Sequence, residues 1–298
     1  MTPRFGEVIT AMVTPFGRDG ALDVKGARSL AAHLADHGSE GLVVCGTTGE
    51  SPTLSHEEKL TLFENVVEEV GDRCKVIAGT GTYDTEETKA LTRAAADRGV
   101  HACLVVTPYY SKPPQSSLLQ HFRAVADDSP VDVIIYDIPG RTGRRVERAT
   151  MVQLAAHERI VAVKDAVGDA AETALLRADL DAAGAKDFEI YSGDDIMLLP
   201  HLAAGAVGIV SVCAHLVGDR IADIFRAWHA DAHEARRLYL ELVPLFAVVM
   251  GVTSSPIPVK AALGMLGIEV GGLRAPLYEA IEPERDAIRK AMHDAGLL

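Results

Sequence analysis

The stretch GLVVCGTTGESPTLSHEEKLTLFENVVEEV, residues 41–70, contains one complete strand–turn–helix unit. Residues 41–45 form a short apolar run without alternation, which is typical of a strand covered on both faces in a parallel sheet. Ser55 followed three residues later by Glu58 is the pattern of a capping box, and apolar residues recur behind it with helical spacing. The stretch therefore predicts one βα unit whose helix begins next to Ser55.

The same unit recurs along the 298-residue chain, at intervals of roughly 20–35 residues, which is the size of a βα unit. Asp84 before Glu87 predicts another helix start, and Gly38, Gly99 and Gly205 are expected as left-handed residues after helix ends. Eight such runs favour a closed (β/α)8 TIM barrel over an open doubly wound sheet. The predicted strands are residues 8–13, 41–45, 75–78, 102–106, 131–136, 160–164, 188–191 and 206–212.

The strand pattern stops near residue 225. We predict a catalytic barrel over residues 1–225 and a C-terminal helical appendage over residues 226–298, with residues 226–250 helical. Four prolines punctuate the remainder of this region: Pro256, Pro258, Pro276 and Pro283.

Composition excludes several classes of function. The chain has 42 acidic and 29 basic residues and a formal net charge of −13, which disfavours nucleic acids and anionic membranes as partners. No apolar run is long enough for a membrane span, and the first residues lack the apolar core of a signal peptide. The four cysteines are far apart, which suggests neither a disulfide framework nor a thiolate zinc site. We therefore expect a reduced cytoplasmic protein.

The sequence motifs for metal binding and for nucleotide binding are weak. The pairs His33/His37 and His229/His233 have the spacing of helical metal ligands, but no carboxylate accompanies them. The run Gly79-Thr80-Gly81 is neither a dinucleotide fingerprint nor a P-loop. We predict no metal and no nucleotide cofactor.

In a barrel of this type, the working residues lie at the carboxyl ends of the strands. Lys164 directly follows the apolar run of residues 160–163 and should project into the barrel mouth. An unperturbed lysine is neutral in only about one molecule in 2,500 at pH 7, but desolvation can lower its pKa and make the amine a nucleophile for a carbonyl carbon. The alternative is a structural ion pair with Asp165 or another carboxylate at the rim.

Other strand ends carry groups that could transfer protons or bind a substrate beside such a lysine. The hydroxyls of Tyr136, Thr47 and Tyr110 could move protons, although each could instead pack or cap a turn. Arg141, in the turn Pro-Gly-Arg-Thr-Gly, could grip a carboxylate or be an ordinary exposed loop arginine. Three glycines could let backbone amides approach a small anion or could only permit tight turns: Gly46, Gly49 and Gly193.

Five motifs, in order over nearly the whole chain, resemble the dihydrodipicolinate synthase family of the pyruvate-dependent class I aldolases: GTTGES (46–51), VTPYY (106–110), YDIPGRTG (136–143), VKD (163–165) and SGDD (192–195). The resemblance implies a lyase that condenses pyruvate with L-aspartate 4-semialdehyde to give 4-hydroxy-tetrahydrodipicolinate, in lysine and diaminopimelate biosynthesis. It also implies a lysine Schiff base in place of a cofactor and a homotetramer built as a dimer of dimers.

Two other functions stay open. The N-acetylneuraminate lyases and the 2-keto-3-deoxy-sugar-acid aldolases share GTTGE and the lysine, whereas Arg141 favours the synthase. A barrel that binds a keto acid without turnover is the alternative from another class.

The resemblance also implies catalytic roles for particular residues. Lys164 would form the Schiff base with pyruvate, and Tyr136 would shuttle protons. Thr47 would link Tyr136 to Tyr110, which in this family reaches across a tight dimer interface into the neighbouring subunit's site.

For substrate binding, the resemblance implies that Thr48 and nearby amides bind the carboxylate of pyruvate. Arg141 would bind the carboxylate of the semialdehyde. Gly193 and Val210 would line the pyruvate pocket through their main chain.

Members of the family that are inhibited by lysine bind it at the dimer interface. Here Lys59 stands where sensitive enzymes carry histidine, and Tyr83 stands where they carry asparagine. Because a cationic Lys59 would repel a cationic ligand, we predict weak or absent inhibition by L-lysine. The residues of this doubtful allosteric site are Ser51, His56, Lys59, Tyr83, Glu87 and Tyr109.

Overall fold

Eight parallel strands close into a barrel in which each strand pairs with the next along the chain and β8 pairs with β1. The computed structural model describes residues 2–298. Each predicted run overlaps one strand, so the predicted (β/α)8 barrel is confirmed. The strands are β1 Val8–Ala11, β2 Gly41–Val44, β3 Lys75–Gly79, β4 Ala102–Val106, β5 Asp132–Asp137, β6 Ile160–Asp165, β7 Glu189–Ser192 and β8 Gly208–Ser211.

Helices cover the outside of the barrel and continue after β8. No helix in residues 2–298 combines the length and apolar character needed to span a bilayer. The helices are α1 Val24–Asp36, α2 His56–Val70, α3 Thr85–Ala96, α4 Gln115–Asp128, α5 Pro139–Thr142, α6 Arg148–Ala155, α7 Ala170–Ala182, α8 Leu198–Ala203, α9 Ala214–Trp228, α10 Ala232–Gly251, α11 Ile257–Met265 and α12 Glu282–Asp294.

The predicted helix starts carry capping hydrogen bonds, and the glycines predicted after helix ends have left-handed backbones. Ser55 and Glu58 exchange hydrogen bonds at the start of α2: the Glu58 amide donates to Ser55 Oγ, and the Ser55 amide donates to the Glu58 carboxylate. Asp84 likewise accepts a bond from the Glu87 amide at the start of α3. The three glycines predicted after helix ends all have positive φ angles, which L side chains rarely adopt: Gly38, Gly99 and Gly205.

The prediction that residues 226–250 are helical is wrong at residues 229–231, which separate two helices. Helix α9 ends at Trp228, and α10 begins at Ala232, because the Asp231 backbone is extended and its side chain caps the His233 amide. His229 and His233 therefore do not lie one turn apart on a single helix. The predicted division at residue 225 falls within α9 and stays a prediction.

Alternation along the strands separates the barrel interior from the layer under the helices. Tyr136 on β5 and Lys164 on β6 are paired in register, so their side chains lie on the same, inward face. The residues that precede them, Ile135 in β5 and Val163 in β6, face the other way and pack outside the barrel in one cluster with Phe122 of α4. The register thus directs Tyr136 and Lys164 toward a common point.

A buried ion pair connects the C-terminal region to the loop after β2. Lys260 Nζ of α11 lies 2.7 Å from Glu50 Oε1, and the two side chains are 2% and 1% exposed. Glu50 also accepts a bond from the Arg274 amide, and the Arg274 guanidinium binds the Glu58 carboxylate. Because Glu50 ends the loop of residues 46–50, these contacts fix that loop against the C-terminal region.

Replacement of Lys260 by methionine should destabilise the protein by about 3–5 kcal/mol, because the Glu50 carboxylate is left buried without its partner. Urea denaturation measures the loss. Lys290→Met, which removes an exposed pair with Asp294, should leave stability nearly unchanged. The double variant Lys260→Met/Glu50→Gln should recover part of the loss. A Lys260→Met protein as stable as the Lys290→Met control would contradict this account.

Candidate active site

The Lys164 side chain is buried at the carboxyl end of β6, with 5% of its surface exposed. Its Nζ lies 4.2 Å from the centroid of the Tyr136 ring. Desolvation lowers the pKa of Lys164 to about 7; Asp195 opposes this change, and Arg141 adds to it. About half of the molecules would then carry a neutral amine at pH 7.

The alternative of an ion pair between Lys164 and Asp165 is wrong. Asp165 accepts hydrogen bonds from Thr173 Oγ1, at 2.6 Å, and from the Val167 amide, at 3.0 Å. Adjacent strand residues face opposite sides of a sheet, so this carboxylate lies behind the strand, away from the amine. No carboxylate in residues 2–298 forms an ion pair with Lys164.

The hydroxyl of Tyr136 is buried close to that of Thr47. Burial raises the pKa of Tyr136 to about 12, while Arg141 and a hydrogen bond with Thr47 oppose the change. Tyr136 is therefore a neutral phenol at physiological pH, able to donate and accept a proton. The structure thus brings three of the predicted site residues together: Lys164, Tyr136 and Thr47.

Arg141 lies on the short helix α5, at the edge of a cavity of about 510 Å³ that Thr47 and Tyr136 also line. The turn is fixed by Thr142, whose Oγ1 donates to the carbonyls of Ile138 and Arg144. It ends at Gly143, which has a φ of +70°. Arg141 itself is exposed, so its guanidinium is free to meet a ligand that enters the cavity.

Tyr110 does not join the other predicted catalytic residues within this chain. Its side chain is 93% exposed, and the residue has a left-handed backbone with φ of 69°. Tyr109, the residue before it, lines the cavity instead. The strand-end position of Tyr110 in the sequence therefore does not place its hydroxyl in this chain's own barrel mouth.

The remaining predicted binding residues are Thr48, Val210 and Gly193, which do not line this cavity. Thr48 is buried in the loop after β2, and Val210 is buried on β8. Gly193, after β7, packs directly against the lysine: a Cβ there would lie 3.1 Å from Lys164 Cγ and 2.8 Å from Ala166 Cβ. A larger residue at position 193 would therefore displace the Lys164 side chain.

Two of the glycine amides are already engaged. Gly193 donates to the Asp165 carbonyl at 2.7 Å, and Gly49 donates to the Gly46 carbonyl at 3.1 Å. Of the two alternatives for these residues, the structure supports tight turns over amides that are free for an anion.

Asp195 is a buried residue of the SGDD motif for which the sequence alone predicts no role. Its carboxylate accepts bonds from Ser211 Oγ, from the Val212 amide at 3.0 Å and from the Cys213 amide at 3.3 Å. It thereby ties the loop after β7 to the end of β8, beside Val210. Its negative charge also acts on Lys164. In the sequence, the only sign of this role is a second acidic residue after the end of a predicted strand. Such residues are too common for that pattern to predict a role.

Five of the six residues considered for lysine binding line the same cavity. Tyr83 and Tyr109 make an edge-to-face contact with ring centroids 5.3 Å apart, and desolvation raises the pKa of Tyr109. His56 is the exception, because it is exposed at the first turn of α2 and does not line the cavity. The lining members are Ser51, Lys59, Tyr83, Glu87 and Tyr109.

Metal-ligating side chains do not cluster. Within the described part of the chain, no three His, Cys, Asp or Glu side chains are grouped as the ligands of a metal ion would be. The His33 and His37 rings lie 4.2 Å apart on the outside of the barrel, without a third ligand.

Comparisons with known proteins agree with this geometry. The model of the dihydrodipicolinate synthetase family matches residues 4–295. A protein of Desulforudis audaxviator named 4-hydroxy-tetrahydrodipicolinate synthase is 51% identical over 299 residues and covers both chains completely. A protein of Moorella thermoacetica with the same name is 49% identical, over 99% of this chain and 100% of its own.

A crystal structure of the enzyme DHDPS from Cyanidioschyzon merolae, with lysine bound, superimposes with a TM-score of 0.95. It is 42% identical in sequence and covers 100% of each chain. The chain belongs to the dihydrodipicolinate synthetase family.

Proposed function

We propose that this chain condenses pyruvate with L-aspartate 4-semialdehyde through a Schiff base on Lys164, giving 4-hydroxy-tetrahydrodipicolinate. Its close relatives carry the name of that enzyme, a lyase of lysine and diaminopimelate biosynthesis. The observation that carries the proposal is the buried Lys164 amine, whose pKa is lowered to about 7 beside the Tyr136 phenol. Such an amine is a nucleophile at neutral pH without a metal or an organic cofactor.

The first step is formation of an imine. The neutral Lys164 amine attacks the keto carbon of pyruvate, and the resulting carbinolamine loses water. The lowering of the lysine pKa from 10.5 to about 7 corresponds to roughly 5 kcal/mol and gives about a thousand times more free base at pH 7. We assign the pyruvate carboxylate to Thr48 and the pocket wall to Gly193 and Val210, because Thr48 and Val210 are buried and Gly193 packs against Lys164.

Proton transfer is assigned to the Tyr136 hydroxyl, with Thr47 as its neighbour. The carbinolamine must gain a proton on the departing oxygen and lose one from nitrogen. A neutral phenol beside a second hydroxyl can relay both protons. Protonation of the imine nitrogen and loss of a methyl proton then give an enamine, whose carbon attacks the aldehyde carbon of the second substrate while the aldehyde oxygen takes up a proton.

Arg141 is assigned to the carboxylate of L-aspartate 4-semialdehyde. It lines the same cavity as Thr47, and a guanidinium binds a carboxylate through two parallel hydrogen bonds. After carbon–carbon bond formation, the amine of the bound semialdehyde displaces Lys164. This closes the ring, breaks the bond to the enzyme and restores the free lysine.

The two alternatives differ in their products. A sugar-acid aldolase would use the same Lys164 imine with a polyhydroxylated aldehyde, and steady-state turnover with each aldehyde separates the two. A keto-acid-binding barrel would form no product in a coupled dehydrogenase assay. The cation at Arg141, close enough to Lys164 to lower its pKa, favours an aldehyde that carries a carboxylate.

Borohydride reduction in the presence of pyruvate should trap a stable adduct on the peptide that contains Lys164. Lys164→Ala should give no adduct, whereas Lys186→Ala, which removes an exposed lysine, should be labelled like the parent. Mass spectrometry of the digested protein provides the measurement. Labelling of Lys164→Ala would show that another amine carries the reaction.

The rate of trapping should rise with pH and be half-maximal near pH 7, because only the neutral amine reacts. Asp195→Asn removes the negative charge that favours the ammonium form, so the midpoint should move down by about one pH unit. Arg141→Gln removes a positive charge and should move the midpoint upward. Stopped-flow measurement without the aldehyde isolates this step. Shifts in the same direction would contradict the assigned electrostatics.

We further propose a homotetramer in which the exposed Tyr110 completes the proton relay of a neighbouring subunit. Tyr110→Phe should lower turnover about a hundredfold. Mixed assemblies of Tyr110→Phe and Lys164→Ala subunits should regain activity, because a site with an intact lysine then receives an intact tyrosine from its partner. If Tyr110 acts within its own chain, mixing restores nothing.

A further inference from the structure

Asp137 carries a buried carboxyl group directly behind the Tyr136 phenol. It ends β5, is 3% exposed and pairs in register with Asp165 of β6, just as Tyr136 pairs with Lys164. Because adjacent strand residues face opposite sides of a sheet, the two carboxyl groups lie behind the strands that carry the phenol and the amine. Burial of a carboxyl group is costly unless hydrogen bonds compensate it. The place of Asp137 in the fold therefore depends on the bonds that it accepts.

The Asp137 carboxyl group closes the loop that carries Arg141. Its two oxygens each accept a hydrogen bond from the buried Val146 amide, both at 3.1 Å. The enclosed loop, residues 138–145, includes α5 and hence Arg141. The Arg141 side chain is exposed and forms no ion pair with any of residues 2–298. The backbone of this loop therefore determines where its guanidinium lies.

The charged groups around Asp137 allow it to be neutral or ionised near pH 7. Four charged side chains line the small cavity next to it: Arg145, Arg148, Asp165 and Glu172. Burial raises the pKa of Asp137 to about 7; the bond from Val146 opposes this change, Asp165 adds to it and Arg145 opposes it. In both protonation states an oxygen of Asp137 can accept the bond from the Val146 amide. A neutral side chain of the same shape that carries an oxygen acceptor should therefore replace it.

We propose that Asp137 is a positioning residue, which holds the loop of residues 138–145 and thereby sets the affinity of Arg141 for an aldehyde that carries a carboxylate. Asp137 touches no substrate, because it lies behind the strand. This role rests on the proposed function, in which Arg141 binds the carboxylate of L-aspartate 4-semialdehyde. Two parallel bonds from a guanidinium to a carboxylate require a fixed orientation, which the loop loses when its end is released. Pyruvate, which reacts at Lys164 on β6, depends less on this loop.

Asp137→Ala should raise the KM for L-aspartate 4-semialdehyde about tenfold or more and change the KM for pyruvate less than about twofold, because it misplaces only the second substrate. Asp137→Asn, which keeps an oxygen acceptor for Val146, should retain a KM close to that of the parent. In the Arg141→Gln background, Asp137→Ala should add no further increase, because Asp137 acts through Arg141. Asp187→Ala, which removes an exposed carboxylate, is the control and should leave both KM values unchanged.

Hydrogen exchange in the peptide that contains residues 138–146 tests the same role without substrate. Exchange should be about tenfold faster or more in Asp137→Ala than in the parent, and close to the parental rate in Asp137→Asn. If Asp137→Ala does not fold, Val146→Pro removes the amide donor and keeps the carboxyl group. It should give the same faster exchange and the same increase in KM.

Unchanged exchange or an unchanged KM for the semialdehyde in Asp137→Ala would overturn this role. An equal increase in KM with and without Arg141 would also overturn it, since the effect would then be a general structural one. The same holds if Asp137→Asn is impaired as strongly as Asp137→Ala. A parent protein that forms neither a pyruvate adduct nor product would instead contradict the proposed function, and the exchange rates would still show whether Asp137 holds the loop.

Discussion

Desolvation of one amine is the constraint on which the rest of the site depends. A lysine in water holds its proton far above neutral pH, and the barrel interior removes the water that stabilises the charged form. Burial is the largest influence on the pKa of Lys164, while Asp195 and Arg141 adjust it in opposite directions. The reactivity of the residue is therefore a property of the packing around it, because the same side chain on the surface would be an inert cation.

The closed parallel barrel places the other site residues around the desolvated Lys164 amine. All eight strands point the same way, so residues from β2, β5, β6 and β7 that are distant in the chain meet at one end. Two buried carboxylates then fix the loops at that end. Asp195 ties the loop after β7 to β8, and Glu50 ties the loop after β2 to Lys260 of the C-terminal region. The C-terminal region thereby supports a site whose described cavity it does not line.

Local charge and overall charge have opposite signs in this protein. The chain as a whole carries 13 more negative than positive formal charges, yet the cavity brings Lys59 and Arg141 together and lies beside Lys164. Both proposed substrates are carboxylates. The net charge of −13 therefore argues against polyanionic partners without opposing the binding of small acids, since short-range contacts in a partly enclosed cavity are screened less than the surface.

The sequence by itself determined the barrel, because apolar strand-like runs repeat eight times and local capping patterns and left-handed glycines mark helix starts and ends between some of them. It also determined that Lys164, Tyr136 and Thr47 share one end, since that follows from strand order and alternation. Only the tertiary structure decided that Asp165 faces away from the Lys164 amine and that Tyr110 is exposed. It also decided that α10 is a separate helix, which begins at Ala232. It alone showed that Asp195, Glu50 and Lys260 are buried and paired while Lys59 is buried and unpaired. Burial and pairing of a charged group depend on neighbours from other elements, which no local pattern specifies.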